Sequence, residues 1–227
     1  MKHAILGPGG VGGLIGGALA RAGHPVILIV RPETLAAYPR HLTVESAVLG
    51  TFAAPVRPVA TLEEPVDVLW VTVKATHLDV ALRAAPAARL GGAIVVPLLN
   101  GVDHLARLRA VYGDAQVIAG TIRTESERVA PGHVVHRMWH VPLPADGTPL
   151  ASSAPHPVEL AARPRPLARR GHRRRAKRGG RAVPGARRRA LAAVEQASEL
   201  SIRGPSGGRR GHGRRGARGP SPARPDG

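Results

Sequence analysis

The stretch His3–Val30, with the sequence HAILGPGGVGGLIGGALARAGHPVILIV, decides the fold. It opens with a short apolar run at residues 3–6 and closes with a second apolar run at residues 25–30. Between them, apolar residues recur at helical spacing, and Gly23 follows the last of these, where a helix C-terminal cap is typical. Strand, helix and second strand in this order within about 30 residues predict a parallel βαβ unit.

The same alternation continues through the next 90 residues or so of the chain, as expected for successive βαβ units. Apolar, β-branched runs predict strands at 67–73, 93–98 and 116–120, and helical spacing predicts helices at 77–90 and 102–111. Residues 42–53 read as two short alternating strands around Gly50. Strands that alternate with helices predict an α/β fold, a Rossmann-type doubly wound parallel sheet.

A glycine motif lies where the first strand passes into the first helix. The pattern G-x-G-x-x-G is formed by Gly7, Pro8, Gly9, Gly10, Val11 and Gly12. Gly7 would permit the tight turn, Gly9 would let a pyrophosphate approach the backbone, and Gly12 would let the helix pack closely on the strand. The helix N-terminus then presents unpaired N–H groups to phosphates. The motif predicts dinucleotide binding, although a glycine-rich loop without a ligand would have the same composition.

The coenzyme type is indicated by the end of the second strand. An acidic residue there suits the ribose of NAD, whereas an arginine suits the 2′-phosphate of NADP. Arg31 occupies this position and offers a planar set of donors to a phosphate, which predicts NADP(H) as the cofactor. Glu33 is close enough to leave NAD open, and a solvated loop arginine is the alternative without a ligand.

The charge of the chain divides it into two parts. Residues 1–142 hold 13 Lys+Arg and 10 Asp+Glu, whereas residues 143–227 hold 20 and 5. The second part also contains 13 Gly and 11 Pro, a composition typical of segments that do not bury enough apolar surface to fold. We therefore predict an NADP-binding domain at 1–142 and a basic, low-complexity, disordered tail at 143–227.

Composition excludes several classes of site. The chain has no cysteine, which excludes disulfides and Cys-ligated metals. All five aromatic residues precede residue 143, so a base-stacking platform in the basic tail is excluded. His133, His136 and His140 do not all align on one face of the strand that their valine neighbours favour, and no metal site is predicted. Glycines interrupt the only N-terminal apolar segment, so we expect neither a signal peptide nor a membrane span and predict a cytoplasmic protein.

Several motifs in the first 140 residues or so occur together in the order found in one known family. They are the glycine motif, the segment 19–24 (LARAGH), the strand ending at Arg31, and the segments 71–75 (VTVKA), 99–102 (LNGV) and 131–134 (PGHV). In these motifs the chain resembles the N-terminal domain of ketopantoate reductase (2-dehydropantoate 2-reductase).

The resemblance implies NADPH-dependent reduction of a 2-oxo acid, ketopantoate, to pantoate on the pathway to pantothenate. It also implies that Lys74 and Asn100 line the crevice for nicotinamide and substrate. That position is physically reasonable, because ligands of open α/β sheets bind outside the carboxyl ends of the strands. A surface lysine at a sheet edge and a simple Asn100-Gly101 turn are the alternatives without function.

The resemblance does not extend to the family's helical second domain, which supplies a lysine as general acid. Lys177 lies in an arginine run that does not match the family's Trp-x-Lys-x-x-x-Asn pattern, so no catalytic residue is assigned and impaired activity is expected.

Two explanations of residues 143–227 are open. In a GC-rich gene a shifted reading frame yields mostly Arg, Gly, Ala and Pro, so the tail would be a frameshifted remnant of the substrate domain. Alternatively, the chain is a non-enzymatic NADP-binding module whose polybasic arm binds nucleic acid and other polyanions non-specifically.

Overall fold

The computed structural model describes residues 1–122 and 124–137, together with the backbone of a short strand at 159–160. Its strands are β1 (His3–Leu6), β2 (Val26–Ile29), β3 (His41–Ser46), β4 (Gly50–Pro55), β5 (Arg57–Val59), β6 (Val68–Val71), β7 (Ile94–Pro97), β8 (Gly120–Thr121), β9 (Glu125–Ala130), β10 (His133–Arg137) and β11 (Glu159–Leu160). Its helices are α1 (Gly10–Arg21), α2 (Pro32–Leu35), α3 (Leu78–Leu82), α4 (Ala87–Leu90) and α5 (Asp103–Tyr112).

The central sheet has five parallel strands in the order β5-β2-β1-β6-β7. Strands β1, β2, β6 and β7 are buried on both faces, as their continuous apolar runs require, whereas the edge strand β5 is partly exposed. One face, which includes Ile5, Leu28 and Trp70, packs against α1. The opposite face packs against α3, α4 and α5. The predicted doubly wound parallel sheet is therefore confirmed.

Two predicted elements differ from the observed ones. The helix expected at 77–90 is divided into a 3₁₀ turn at Ala75–His77, helix α3 and helix α4. The division follows from Pro86, because a proline lacks an N–H donor and its ring clashes with the carbonyl four residues earlier, which is that of Leu82 at the end of α3. The strand expected at 116–120 pairs with β7 only through a single bridge between Val95 and Val117.

A second sheet, not anticipated from the sequence, has the strand order β4-β3-β10-β9. Strands β3 and β4 correspond to the two short strands predicted at 42–53; they pair in antiparallel orientation, and Gly50 begins β4 with a φ of 74°. Strand β10 joins β3 in parallel and β9 in antiparallel orientation. The sequence contains these strands, but their assembly depends on contacts between segments about 90 residues apart in the chain.

Helix α1 lies between the two sheets, and it crosses the second sheet strand by strand. Successive turns of the helix meet successive strands: Gly10 meets Ser126 of β9, Gly13 meets Val134 of β10, Gly17 meets Val44 of β3, and Arg21 lies over Phe52 of β4. This match is possible because one helical turn rises about 5.4 Å and neighbouring strands lie about 4.8 Å apart. On the other side of α1, Gly12 and Gly16 pack against Ile5 of the central sheet.

A buried histidine lies at the amino end of the central sheet. His3 is fully buried, and its Nδ1 accepts a hydrogen bond from Trp70 Nε1 at 3.3 Å. Its Nε2 has no hydrogen-bond partner among the described residues. The His24 ring stands edge-on at 5.2 Å between centroids. Burial, followed by the neighbouring His24 and N-terminal amine, lowers the pKa of His3 to about 3.

We expect the free energy of unfolding to fall as the pH is lowered from about 6.5 toward 3. In this window the unfolded chain binds a proton at His3 and the folded chain does not. The contribution of the neutral His3 to the free energy of unfolding is therefore fully present above pH 6.5. It is lost on acidification by up to about 1.4 kcal/mol per pH unit. Urea unfolding from pH 4 to 7.5 measures this slope. The variant His3→Phe should flatten it, and an unchanged slope in that variant would assign the acid sensitivity to other groups.

None of the helices in residues 1–122 and 124–137 combines the length and the apolar character needed to cross a membrane. Of the predicted tail at 143–227, only the strand Glu159–Leu160, paired with β8, belongs to the described residues. The predicted disorder of this segment lies outside the described residues and stays a prediction.

Candidate coenzyme site

The predicted site residues follow neighbouring strands of the central sheet at the carboxyl edge. Across the sheet, the order is Arg31 after β2, the glycine loop after β1, Lys74 after β6 and Asn100 after β7. The chain order reverses between β1 and β6, and open α/β sheets bind ligands in the crevice at such a reversal. The topology therefore brings all of the predicted positions to one edge of the sheet.

The turn after β1 is held by hydrogen bonds to Gly7. The Thr72 hydroxyl donates to the Gly7 carbonyl oxygen at 2.8 Å, and the Gly9 N–H donates to the same oxygen at 2.7 Å. Gly7 has a φ of 84°, and a Cβ there would lie 3.2 Å from the Val73 Cα atom. Only glycine fits this position. The predicted structural role of Gly7 in the tight turn agrees with this geometry.

Helix α1 begins with uncapped donors. Its N-cap residue, Gly9, provides no side-chain hydrogen bond. The Gly13 N–H donates to the Gly9 carbonyl at 2.8 Å and makes the first bond of the helix. The N–H groups of Gly10, Val11 and Gly12 precede this bond, so the helix itself provides them with no acceptor. Such groups, with the positive end of the helix dipole, attract phosphate.

Gly9 differs from the other glycines of the motif. Its φ of −79° and ψ of −152° are accessible to any residue. Among the described residues, the nearest atom to a Cβ at Gly9 would be the Gly7 carbonyl oxygen, 4.0 Å away. A Cβ at Gly12, in contrast, would lie 2.8 Å from Ile5 Cγ2 and 2.9 Å from the Gly7 carbonyl oxygen. Packing therefore explains glycine at 12 and does not explain it at 9.

Tyr38 closes one side of the loop. Its hydroxyl lies 3.5 Å from the Pro8 carbonyl oxygen, at the limit of a hydrogen bond. Burial raises the pKa of Tyr38, so the phenol stays protonated and available as a donor. The Val11 side chain is partly buried and packs against the same hydrophobic cluster as Tyr38.

Strand β9 and the residue just before it contribute two hydroxyl groups to this region that sequence reasoning missed. A Cβ at Gly10 would lie 2.5 Å from the carbonyl carbon of Ser126, so the strand passes directly over the start of α1. The hydroxyls of Ser126 and Thr124 are buried and lack hydrogen-bond partners among the described residues. No local motif marks these two hydroxyls, because their position depends on how the second sheet packs against α1.

Arg31 has a fixed backbone and an exposed side chain. The Thr34 hydroxyl and N–H both donate to the Arg31 carbonyl, at 2.9 Å and 3.0 Å. Its ψ of 143° is the extended value that the following Pro32 imposes. The side chain is 73% exposed, and its guanidinium forms an ion pair with Glu33, with 3.4 Å between Nε and Oε1. The structure thus leaves the Arg31 donors accessible to a ligand.

Lys74 and Asn100 follow adjacent parallel strands and are both exposed. The Lys74 carbonyl accepts a hydrogen bond from the His77 N–H at 2.9 Å, which fixes the backbone of the 3₁₀ turn. Asn100 precedes Gly101, whose φ of 85° is typical of a tight turn. The expected functions of the two side chains stay predictions.

The histidines near residue 135 form hydrogen bonds to neighbours on β3. His133 Nε2 lies 2.8 Å from Glu45 Oε1, and His136 Nδ1 lies 2.8 Å from Ser46 Oγ. Burial lowers the pKa of His136. Within residues 1–122 and 124–137, no group of three or more His, Cys, Asp or Glu side chains is placed to hold a metal ion. His140 lies outside the described residues.

Comparison with known proteins identifies a family that this chain matches. The family model described as ketopantoate reductase PanE/ApbA matches residues 3–142. A 2-dehydropantoate 2-reductase from Caulobacter vibrioides is 31% identical over 164 residues, which are 69% of this chain and 54% of that protein. The chain spans about half the length of the curated relatives it matches.

Comparison with solved structures identifies the same family. A PanE/ApbA family ketopantoate reductase from Ralstonia eutropha JMP134 superposes with a TM-score of 0.54 at 35% identity and covers 60% of this chain and 46% of its own. A D-mandelate dehydrogenase solved with NADH and anilino(oxo)acetate gives a TM-score of 0.53 at 25% identity, with 60% and 45% covered. The family match includes the glycine loop, Arg31, Lys74 and Asn100. The chain belongs to the ketopantoate reductase PanE/ApbA family.

Proposed function

We propose that residues 1–142 bind NADP(H) at the carboxyl edge of the central sheet and serve the reduction of a 2-oxo acid, ketopantoate, to pantoate. Gly9 carries the proposal. Its backbone is extended, and the nearest described atom to a Cβ there, the Gly7 carbonyl oxygen at 4.0 Å, leaves room for a side chain. A ligand that approaches the backbone at this point, as a pyrophosphate does, would require glycine.

Two sets of groups in this chain would hold the coenzyme, and a third would position the loop. The N–H groups of the first turn of α1 would donate to the pyrophosphate. The Arg31 guanidinium, exposed after β2, would bind the 2′-phosphate. The Thr72 hydroxyl would act indirectly, because its bond to the Gly7 carbonyl fixes the loop.

The names of the relatives support this chemistry. Curated relatives from Aquifex aeolicus and Caulobacter vibrioides are 2-dehydropantoate 2-reductases, and the D-mandelate dehydrogenase was solved with NADH. NADPH, when bound, supplies the hydride for the substrate carbonyl. The Lys74 cation would attract the substrate carboxylate, and the Asn100 amide would offer a donor and an acceptor in the same crevice.

Titration of the full 227-residue chain with NADPH and with NADH tests the proposal. We expect measurable binding, tighter for NADPH by about 10-fold or more, since a charge-assisted phosphate contact is worth about 1.5–3 kcal/mol. Equal affinities would remove Arg31 from the site. A folded chain without affinity for either coenzyme would overturn the proposal.

Turnover is a separate measurement. No lysine of the 227 residues matches the general acid of the family's second domain, and the loss of such a group lowers a rate by about 10²–10⁴-fold. We therefore expect slow NADPH oxidation in the presence of ketopantoate. A rate typical of complete enzymes would contradict the assignment of residues 143–227 as a segment without catalytic groups.

A second candidate function rests on the composition of residues 143–227. Their 20 basic residues against 5 acidic ones would bind polyanions, including nucleic acid, without sequence preference. Duplex DNA binding that falls steeply with salt would support it. A shifted reading frame is the preferred origin of this segment, and a helical pattern with a Trp-x-Lys motif in another frame of the gene would establish it.

A further inference from the structure

We infer that Glu33 lowers the preference of this chain for NADP(H), by weakening the attraction of Arg31 for the 2′-phosphate and by accepting a hydrogen bond from the adenosine ribose of NAD(H). The inference rests on the proposed function, because it concerns the same coenzyme site. It is carried by the ion pair between Arg31 and Glu33 and by the position of both residues after β2.

Two side chains that suit different coenzymes lie within three consecutive residues. An arginine at the end of the second strand suits a 2′-phosphate, and an acidic residue about 20 residues after the glycine motif suits the ribose hydroxyls. This chain has both, since Arg31 ends the strand region and Glu33 follows two residues later in α2. Both side chains are mostly exposed, 73% and 63%, so either one can reach a ligand at this edge.

The ion pair couples the two groups. Arg31 Nε lies 3.4 Å from Glu33 Oε1, and the Arg31 backbone is fixed by its bonds from Thr34. Only Nε lies beside the carboxylate, so a 2′-phosphate can approach the Nη groups; there the carboxylate weakens the attraction of the guanidinium and repels the phosphate dianion. An exposed ion pair of this kind is weak, so its effect on coenzyme binding is modest. NADH has a neutral 2′-hydroxyl, which can donate a charge-assisted hydrogen bond to the carboxylate.

The variant Glu33→Gln should change the two affinities in opposite directions. NADPH should bind about 2- to 5-fold more tightly, because the competing and repelling charge is lost. NADH should bind about 3- to 10-fold more weakly, because a charge-assisted bond becomes a neutral one. Both dissociation constants are measured by calorimetric titration of the full 227-residue chain at low and at moderate salt.

The matched control is Glu63→Gln, which removes the same charge from another exposed position. It should leave the ratio of the two affinities unchanged. If Glu33→Gln tightens both coenzymes equally, the effect is one of overall charge and the inference is wrong. Unchanged affinities would also overturn it. A wild-type chain that binds neither coenzyme would instead refute the proposed function itself.

Discussion

Replacing Gly9 by aspartate should abolish coenzyme binding and leave the fold at least as stable as before. Gly9 is the N-cap of α1, and aspartate is a preferred N-cap residue that would gain about 0.5–1 kcal/mol from the uncapped N–H groups and the helix dipole. The same carboxylate would occupy the phosphate position with the wrong charge. We expect the NADPH affinity to fall about 100-fold or more, which corresponds to a loss of about 2.8 kcal/mol of binding free energy because each 1.4 kcal/mol is a factor of ten.

The opposite directions of the two effects make this prediction specific. Thermal unfolding and coenzyme titration of the same Gly9→Asp sample measure them together. Gly12→Val is the control, because its Cβ would meet Ile5 and the Gly7 carbonyl and should destabilise the fold itself. A Gly9→Asp chain that binds NADPH like the wild type would show that no phosphate lies at the start of α1.

Replacing Gly17 by valine should destabilise the protein by about 3 kcal/mol. A Cβ at this position would already lie 2.6 Å from Val44 Cγ2 and 3.7 Å from the Phe52 ring. Valine adds two methyl groups at a place where the helix contacts the second sheet, and a β-branched side chain is too stiff to turn away. Urea unfolding followed by circular dichroism measures the loss, which is a large fraction of the about 5–15 kcal/mol typical of a domain.

A double-mutant cycle identifies the cause. Gly17→Ala places only the Cβ against Val44, and Val44→Ala removes the Cγ2 atom that it meets. The double variant should therefore be more stable than the sum of the two single losses predicts, by about 1 kcal/mol or more. Strict additivity would mean that α1 and β3 do not press against each other at this point.

The sequence alone was sufficient for β1, β2, β6 and β7 of the central sheet, whereas the partly exposed edge strand β5 was not predicted. The four predicted strands are buried on both faces, so their apolar runs are continuous, and the glycine motif fixes where the first strand passes into α1. Arg31, Lys74 and Asn100 could also be placed at the carboxyl edge of the sheet, because each follows a strand and parallel strands all end at that edge. Pro86 interrupts a helix whose composition otherwise favours continuity, because proline lacks the N–H donor that a continuous helix needs there.

The second sheet and its contribution to the site could not be predicted in this way. Strand β9 has the sequence ESERVA, which is mostly polar and carries no alternating apolar pattern. Its place beside Gly10 follows from pairing with β10, which in turn pairs with β3 about 90 residues earlier. The ion pair that links Arg31 to Glu33 also depends on side-chain geometry, although both residues are visible in the sequence.

The crossing of α1 over four strands limits how the start of this helix can move. Between the glycines that meet the strands lie larger residues, among them Val11 and Leu14. Sliding the helix along its axis by a single residue would bring a larger side chain to a place where a glycine now lies against a strand. Such a slide is therefore opposed by steric contact, so the end of α1 that begins at the glycine loop is fixed before any ligand arrives.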